Sequence, residues 1–287
     1  MANSQKIAYM AALQWHMDNG AVFPWTEAPS DKTALSQYAR LEQSDVNHQN
    51  NQTASVARLG YAASSEPTQD IEGTARWREE AIKSAAAATT HDELREAIAA
   101  FHGLAIKKTA TNMVFCDGNP KARIMIVGEA PGADEDRQGK PFVGKSGQLL
   151  DRILGSIGLD RHNEDTGTSV YISNILNWRP PGNRTPTPSE IDIALPFIEK
   201  HIALTKPEIL ILCGGVAAKS LLNSTNGITK LRGKWTRFVP QTQKKDDFPE
   251  IQALATFHPS YLLRNPAQKK AVWQDMLALK ARLNNTD

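Results

Sequence analysis

The sequence is poor in cysteine: Cys116 and Cys213 are the only two among 287 residues. Two isolated thiols form neither a disulfide framework nor a zinc-ligand pattern, and this favours a reducing cytoplasm. No apolar run approaches the ~18 residues that a membrane span requires, and the first residues are too polar for a secretory signal peptide. We therefore expect a globular cytoplasmic protein in which both cysteines are small buried side chains.

The chain also lacks a strong excess of charge, since its formal net charge is +2. Residues 1–100 carry 8 Lys/Arg and 13 Asp/Glu, whereas residues 101–287 carry 25 and 18. A basic C-terminal part suits a polyanionic partner, although an excess of this size is common among enzymes.

The composition along the chain predicts three segments. Residues 1–42 are expected to be an N-terminal extension with a helix over residues 4–18, and the polar residues 43–74 a flexible linker. Residues 75–287 are expected to form the main domain, and residues 75–104 are its helical lead-in. From about residue 105, strand-like and helix-like segments alternate along the chain.

This alternation predicts an α/β fold with three layers, in which helices cover both faces of a mostly parallel sheet. The predicted strands are Arg123–Val127, Val170–Ile175, Glu208–Cys213 and Gln252–Phe257. The predicted helices are Gly147–Ile157, Pro188–Leu204, Val216–Leu222 and Pro266–Asn284.

The most informative block is GEAPGADEDRQGKPFVGKSGQLLD, residues 128–151. Within it, residues 139–146 match the nucleotide-binding pattern G-x-x-x-x-G-K-[ST], which indicates a phosphate site only directly after a buried strand. Residues 133–138 are too acidic for that strand, and their carboxylates would repel a triphosphate. The sequence therefore disfavours an NTP-binding protein.

Polar residues follow three of the predicted strands: Gly128-Glu129, Ser173-Asn174 and Phe257-His258. Because the carboxyl ends of parallel strands meet at one edge of a sheet, we expect these residues to lie together in a ligand site.

Three more motifs follow this block along the chain: YISN with RPPGNRTPTPSEI, then LRGKW, then HPSYLLRNP. With these four blocks, the chain resembles the family 4 uracil-DNA glycosylases from about Thr109 to Lys280. The resemblance implies a three-layer α/β/α domain and a nucleoid-associated DNA repair enzyme, expected to be a monomer. Such an enzyme removes uracil from DNA and leaves an abasic site. A glycosylase-like protein that binds DNA without cleavage is the alternative.

The resemblance implies roles for named residues. Phe142 would stack on the flipped base, and Asn174 would accept from uracil N3–H and donate to O4, a pattern that cytosine reverses. His258, with Gly128 and Glu129 nearby, would stabilise negative charge on uracil O2. A core phenylalanine, a strand-end cap and a structural histidine are the alternatives.

A carboxylate is needed to stabilise the sugar cation and to position the attacking water. Glu129 is the first candidate and Glu135 the second. A better-known branch of the superfamily has Asp one residue after the position of Glu129, where this chain has Ala130, so its mechanism must differ in detail. DNA contacts are expected from loop residues, namely Lys145, Ser146, Arg184, Arg232, Ser260, Tyr261, Leu262 and Arg264.

One departure from the family concerns its cofactor. Typical members bind a [4Fe–4S] cluster through four cysteines, and the matching positions here hold Phe101, Leu104, Trp178 and Ala194. None of these side chains has a thiolate, which such a cluster normally needs. We therefore expect no cofactor and no metal, with apolar side chains filling the volume of the cluster.

Overall fold

The computed structural model describes residues 71–245 and 248–284. The predicted extension, its helix over residues 4–18 and most of the predicted linker lie outside the described residues. Residues 71–74, the end of that linker, belong to the first described helix, so helical structure begins before the predicted residue 75.

A six-stranded sheet lies at the centre of the domain, in the order β1-β3-β2-β4-β6-β5. Its strands are β1 Asp117–Gly118, β2 Ile124–Gly128, β3 Val170–Asn174, β4 Ile209–Cys213, β5 Trp235–Arg237 and β6 Gln252–Thr256. The four central strands are parallel, and β1 and β5 pair antiparallel at the two edges. This confirms the predicted fold class and the four predicted strands, whereas the two short edge strands were not predicted.

The helices are α1 Ile71–Ala87, α2 His91–Ala100, α3 Ala133–Gln138, α4 Lys145–Gly155, α5 Pro188–Thr205, α6 Gly215–Leu221, α7 Ile228–Leu231, α8 Pro259–Arg264 and α9 Lys269–Asn284. Short 3-10 turns lie at Ala105–Lys108, Pro181–Asn183 and Pro266–Gln268. None of the helices in the described ranges is both long and apolar enough to cross a bilayer.

Side chains alternate between the two faces of the sheet, which places a helical layer on each. Met125 and Val127 belong to the apolar core that includes residues of α1, α2, α5 and α6. Ile126 and Ile211 lie instead with residues of α4 and α9. The three-layer prediction is therefore confirmed.

The acidic segment after β2 is the helix α3 rather than a loop. Asp134, Glu135 and Asp136 lie in its first turn, where negative charge interacts favourably with the helix dipole. Because this helix, and not a buried strand, precedes Gly139, the context that a nucleotide-binding loop requires is absent here, as predicted.

Candidate active site

The carboxyl edge of the sheet opens into a cavity of about 590 Å³. The carboxyl ends of the four parallel strands, or the residues just after them, contribute Glu129, Asn174, Gly214 and His258. Strand order reverses around β2, and such a switch point is where open α/β sheets usually bind ligands. The other lining residues are Ala130, Pro131, Gly132, Glu135, Phe142, Ser146, Pro180, Asn183, Arg184, Gly215, Ile228, Thr229, Phe257, Ser260, Tyr261 and Arg264.

Phe142 provides a flat apolar surface in this cavity. Its ring centroid lies 5.4 Å from that of His258, with the two planes inclined by 28°. A Cβ atom on Gly128 would lie 2.6 Å from Phe142 Cζ and 2.4 Å from Asn174 Oδ1. Only glycine at position 128 allows the ring and the carboxamide to approach the strand end this closely, so Gly128 supports the site from below rather than lining it.

Asn174 is a buried amide that faces the cavity, with 2% of its surface exposed. Among residues 71–245 and 248–284, no side chain or backbone group bonds its carboxamide, and because Arg232 Nε is the one buried side-chain atom without a partner there, the amide atoms are reached from the cavity. A buried polar group without a partner is costly, unless a ligand or water supplies the missing bonds. The amide is therefore available to read a ligand that carries an adjacent donor and acceptor.

His258 caps the N-terminus of α8, and its Nδ1 accepts a hydrogen bond from the Ser260 backbone N–H at 3.1 Å. Burial, aided by the charge of Arg264, lowers the pKa of His258 to about 4. The ring is therefore neutral near pH 7. Because Nδ1 is an acceptor, the proton lies on Nε2, which makes that atom a neutral hydrogen-bond donor.

The two candidate carboxylates differ in their surroundings. Glu135 accepts from three backbone N–H groups, those of Gly132, Val143 and Gly144, at 2.9–3.1 Å. Glu129 is half-buried in the cavity lining, and burial raises the pKa of its carboxyl group. Glu135 thus stabilises the loop around Phe142, and the geometry favours Glu129 as the carboxylate that can act on a ligand.

The predicted DNA contacts are only partly brought together. Ser146, Arg184, Ser260, Tyr261 and Arg264 line the cavity. Lys145 is exposed at the start of α4. The Arg184 guanidinium forms a two-bond ion pair with Glu190 at 2.8 and 2.6 Å, so part of its charge is already compensated.

Two of the predicted DNA contacts are corrected by the structure. Leu262 has no exposed surface and belongs to the core, because it lies on the inward face of α8, whereas Leu263 is 46% exposed. Arg232 pairs with buried Asp275 at 2.6 Å, and its guanidinium lies over the Phe257 ring. It connects α9 to the segment before His258 instead of facing solvent.

The positions that would hold a cluster in typical relatives are filled with packed side chains. Phe101, Leu104, Trp178 and Ala194 are all buried in one apolar core. Phe101 makes edge-on ring contacts with Trp77 and Phe197, at centroid distances of 5.8 and 5.1 Å. None of these four side chains offers a donor atom to iron, so the residues present do not fit a [4Fe–4S] cluster.

The contribution of β4, the third parallel strand along the chain, to the cavity was not predicted from the sequence. Gly214 and Gly215 follow β4 and line the site, and Gly214 adopts a left-handed φ of 97°. A glycine pair directly after an apolar strand is a signal that could have indicated this role. Ile228 and Thr229 of α7 also line the cavity, and no sequence signal indicated them.

Comparison with known proteins agrees with this geometry. Residues 115–277 match the family model for the uracil DNA glycosylase superfamily. A type-4 uracil-DNA glycosylase from Archaeoglobus fulgidus is 37% identical over 174 residues, which cover 59% of this chain and 81% of the relative. Another type-4 enzyme, from Thermotoga maritima, is 36% identical over 60% of this chain and 83% of its own length. The matched region contains every strand of the sheet and the residues of the cavity, and the chain therefore belongs to the uracil DNA glycosylase superfamily.

Proposed function

We propose that the protein is a uracil-DNA glycosylase that takes uracil out of the DNA stack and hydrolyses its N-glycosidic bond. The observation that carries this proposal is the cavity-facing carboxamide of Asn174, which no described residue engages, beside the Phe142 ring and the His258 imidazole. These groups supply a stacking surface, a reader of one base edge and a neutral donor. A base can reach such a pocket only after it leaves the duplex.

Base choice rests on Asn174. The side-chain oxygen would accept from uracil N3–H while the amide nitrogen donates to O4. Cytosine presents an acceptor at N3 and a donor at the neighbouring position, so a fixed amide would leave buried polar groups unpaired. Loss of such bonds gives strong discrimination, because the unpaired groups remain desolvated.

The chemical step uses His258 and Glu129. Negative charge develops on uracil O2 as the bond to the sugar breaks, and Nε2–H of neutral His258 would donate to that oxygen. The sugar becomes positively charged, and the Glu129 carboxylate would stabilise it and orient the attacking water. Ala130 has no carboxylate to share this task, which leaves Glu129 as the nearest acidic candidate on this segment.

DNA would be held at the rim of the cavity. We propose that Ser146 and Ser260 bind phosphates on either side of the flipped nucleotide, and that Lys145, Arg184 and Arg264 add positive charge. Tyr261 and Leu263 of α8, the latter 46% exposed, would enter the space that the base leaves in the stack. Uracil-containing DNA in the cytoplasm, at the nucleoid, is the proposed substrate.

The activity is tested with a purified sample and an oligonucleotide that contains one uracil. Alkali should cleave the strand at the uracil position after incubation, since the product is an abasic site. A Glu129→Gln sample purified in the same way controls for contaminating glycosylases. A strand that stays intact while the protein binds it would support the non-catalytic alternative instead.

We further propose that the protein works without an iron–sulfur cluster. Its only cysteines are also poor ligands, because burial raises the pKa of the Cys116 thiol and raises that of Cys213 to about 12. The purified protein should be colourless, and its activity should survive chelators. Absorbance near 400 nm together with stoichiometric iron would contradict this proposal.

A further inference from the structure

The loop that carries Phe142 has an unusual backbone. Phe142 has a φ of 53°, a left-handed conformation that aromatic L residues rarely adopt. The two following residues, Val143 and Gly144, donate their N–H groups to Glu135. These two bonds hold the residues after Phe142 in place. They do not involve the carbonyl groups of Pro141 and Phe142, which are bonded by another residue.

Arg161 supplies that support from the loop after α4. Its side chain is buried, and its two terminal nitrogens donate to the carbonyl oxygens of Pro141 and Phe142, both at 3.0 Å. Its other donors bind Asp151, at 2.8 and 2.7 Å, and Asp117, at 3.3 Å. The guanidinium thus donates four hydrogen bonds, to Pro141, Phe142, Asp117 and Asp151, and the single ammonium nitrogen of lysine does not reproduce this arrangement.

The first turn of α4 encloses the same carbonyl group. A Cβ atom on Gly147 would lie 1.8 Å from the Phe142 oxygen, so only glycine allows the helix to lie this close. Arg161 and α4 together leave the Phe142 carbonyl a single position. Because the side chain starts from this held peptide, the point from which the ring extends towards His258, 5.4 Å away between ring centroids, is held as well.

We propose that Arg161 is a positioning residue of the active site, which keeps the Phe142 ring at the stacking distance by binding the carbonyls of Pro141 and Phe142. Arg161 does not line the cavity, so it acts through Phe142 and not on the base itself. The proposal rests on the proposed function, in which Phe142 stacks on uracil. Errors of about 1 Å in such positioning typically reduce rates by about 100-fold.

A double-mutant cycle tests the route through Phe142. We expect Arg161→Met to lower the single-turnover excision rate by about 30- to 100-fold in the wild-type background. In a Phe142→Ala background, the same substitution should lower it by less than about threefold, since the ring it positions is gone. An equal reduction in both backgrounds would show that Arg161 has a general structural role and would overturn the proposal.

Three further variants support the cycle. Arg161→Lys keeps the charge but loses the fork, so its rate should lie near that of Arg161→Met, and full activity would overturn the proposal. Arg123→Met removes an arginine paired with Glu208 at the amino end of β2, and should leave the rate unchanged.

If Arg161→Met does not fold, Asp151→Asn replaces it, because this substitution weakens the binding of the Arg161 guanidinium from a partly exposed position. Its smaller rate loss should also disappear in the Phe142→Ala background.

A readout that does not depend on activity separates this proposal from the proposed function. The chain has eight phenylalanines, and 13C-labelled rings can be followed by NMR, with Phe142 assigned from its loss in Phe142→Ala. Asp151→Asn and Arg161→Lys should shift the Phe142 ring signal and leave that of Phe238 in place. An unchanged Phe142 signal would overturn the proposal, whereas inactivity of the wild-type protein would overturn only the proposed function.

Discussion

His201 is a buried imidazole and His258 a half-buried one at the cavity, so the two sit in different environments. The pKa of His258 is lowered to about 4 and that of His201 to about 3, in both cases mainly by burial. His201 is stacked on Phe115 at 4.4 Å, and its Nε2 lies 2.9 Å from the Tyr171 hydroxyl. In His258 the nitrogen bonded within the protein is Nδ1, so Nε2–H can donate a hydrogen bond to a ligand in the cavity.

The same contrast extends to the surroundings of each ring. His201 lies on α5 with Ala194 and Phe197, and the core around this helix includes Phe101 and Trp178. We call this set of residues the α5 region. There, the His201 ring bonds the Tyr171 hydroxyl and apolar side chains fill the space, whereas the amide of Asn174 faces the cavity and is bonded by no described residue. Burial therefore does not by itself identify a functional side chain, and an unused bonding group at a cavity does.

The largest expected effect concerns the unpartnered amide. Asn174→Asp should reduce uracil excision by at least about 10³-fold, because the carboxylate cannot donate to O4. Single-turnover excision of uracil measures the loss. Asn177→Asp is the matched control, since the Asn177 amide is buried but already donates to the Val114 carbonyl. It should reduce stability and leave base choice unchanged; excision by Asn174→Asp near the wild-type rate would contradict the reading role.

Glu129 should determine how the excision rate falls on the acidic side of the pH–rate profile. Burial raises its pKa above the ordinary 4.5, and the ionised form is the active one, so the rate should fall as pH drops through that raised pKa. Glu129→Gln should lower the rate by about 10²- to 10³-fold and remove this limb. Rates measured from pH 4 to 8 test both effects. An acid limb that persists in the variant would assign it to another group.

His258→Ala should lower the single-turnover rate by about 100-fold, with a much smaller change in DNA affinity, because the bond to O2 strengthens only in the transition state. Single-turnover rates and DNA dissociation constants, measured on the same samples, separate the effect on catalysis from the effect on binding. Equal losses in both would make His258 a binding residue. His201→Gln, in the α5 region, should leave the rate of the folded protein unchanged.

Trp178→Ala should affect stability instead of chemistry. Removing a large buried side chain from the α5 region should cost about 3 kcal/mol of unfolding free energy, while the single-turnover rate of the folded protein changes little. Urea denaturation measures the first quantity. A loss below about 1 kcal/mol would show that this side chain does not support the core in place of a cluster.

The smallest effect is the pH dependence of stability. His201 has a folded pKa of about 3 against an ordinary 6.5, so the unfolded state binds more protons between these values. The contribution of this group to stability is therefore complete above about pH 6.5 and is lost as pH falls from there towards the folded pKa. His201→Gln should make the fall between pH 6 and 4 shallower. Exposed His162→Gln serves as the control, and an unchanged slope in His201→Gln would contradict the assignment.

The parallel core of the fold was predictable, and its edges were not. The four central strands are five residues each and mostly apolar, as burial on both faces of a parallel sheet favours. By contrast, β1 is the dipeptide Asp117–Gly118, with no pattern to read. The helix α3 was not predicted either, because its sequence ADEDRQ has no apolar face. It is stabilised instead by its acidic first turn and by the hydrogen bonds of Glu135.

The sequence by itself determined the fold class and named Glu129, Phe142, Asn174 and His258 as candidates, because apolar strand segments and the family motifs are local properties of the chain. Tertiary structure decided the directions of the side chains. Leu262 turns into the core, Arg232 pairs with Asp275 on α9, and Arg161 reaches back to the carbonyl of Phe142, nineteen residues earlier. The partner of a long polar side chain depends on which elements pack around it, and local sequence carries no record of that packing.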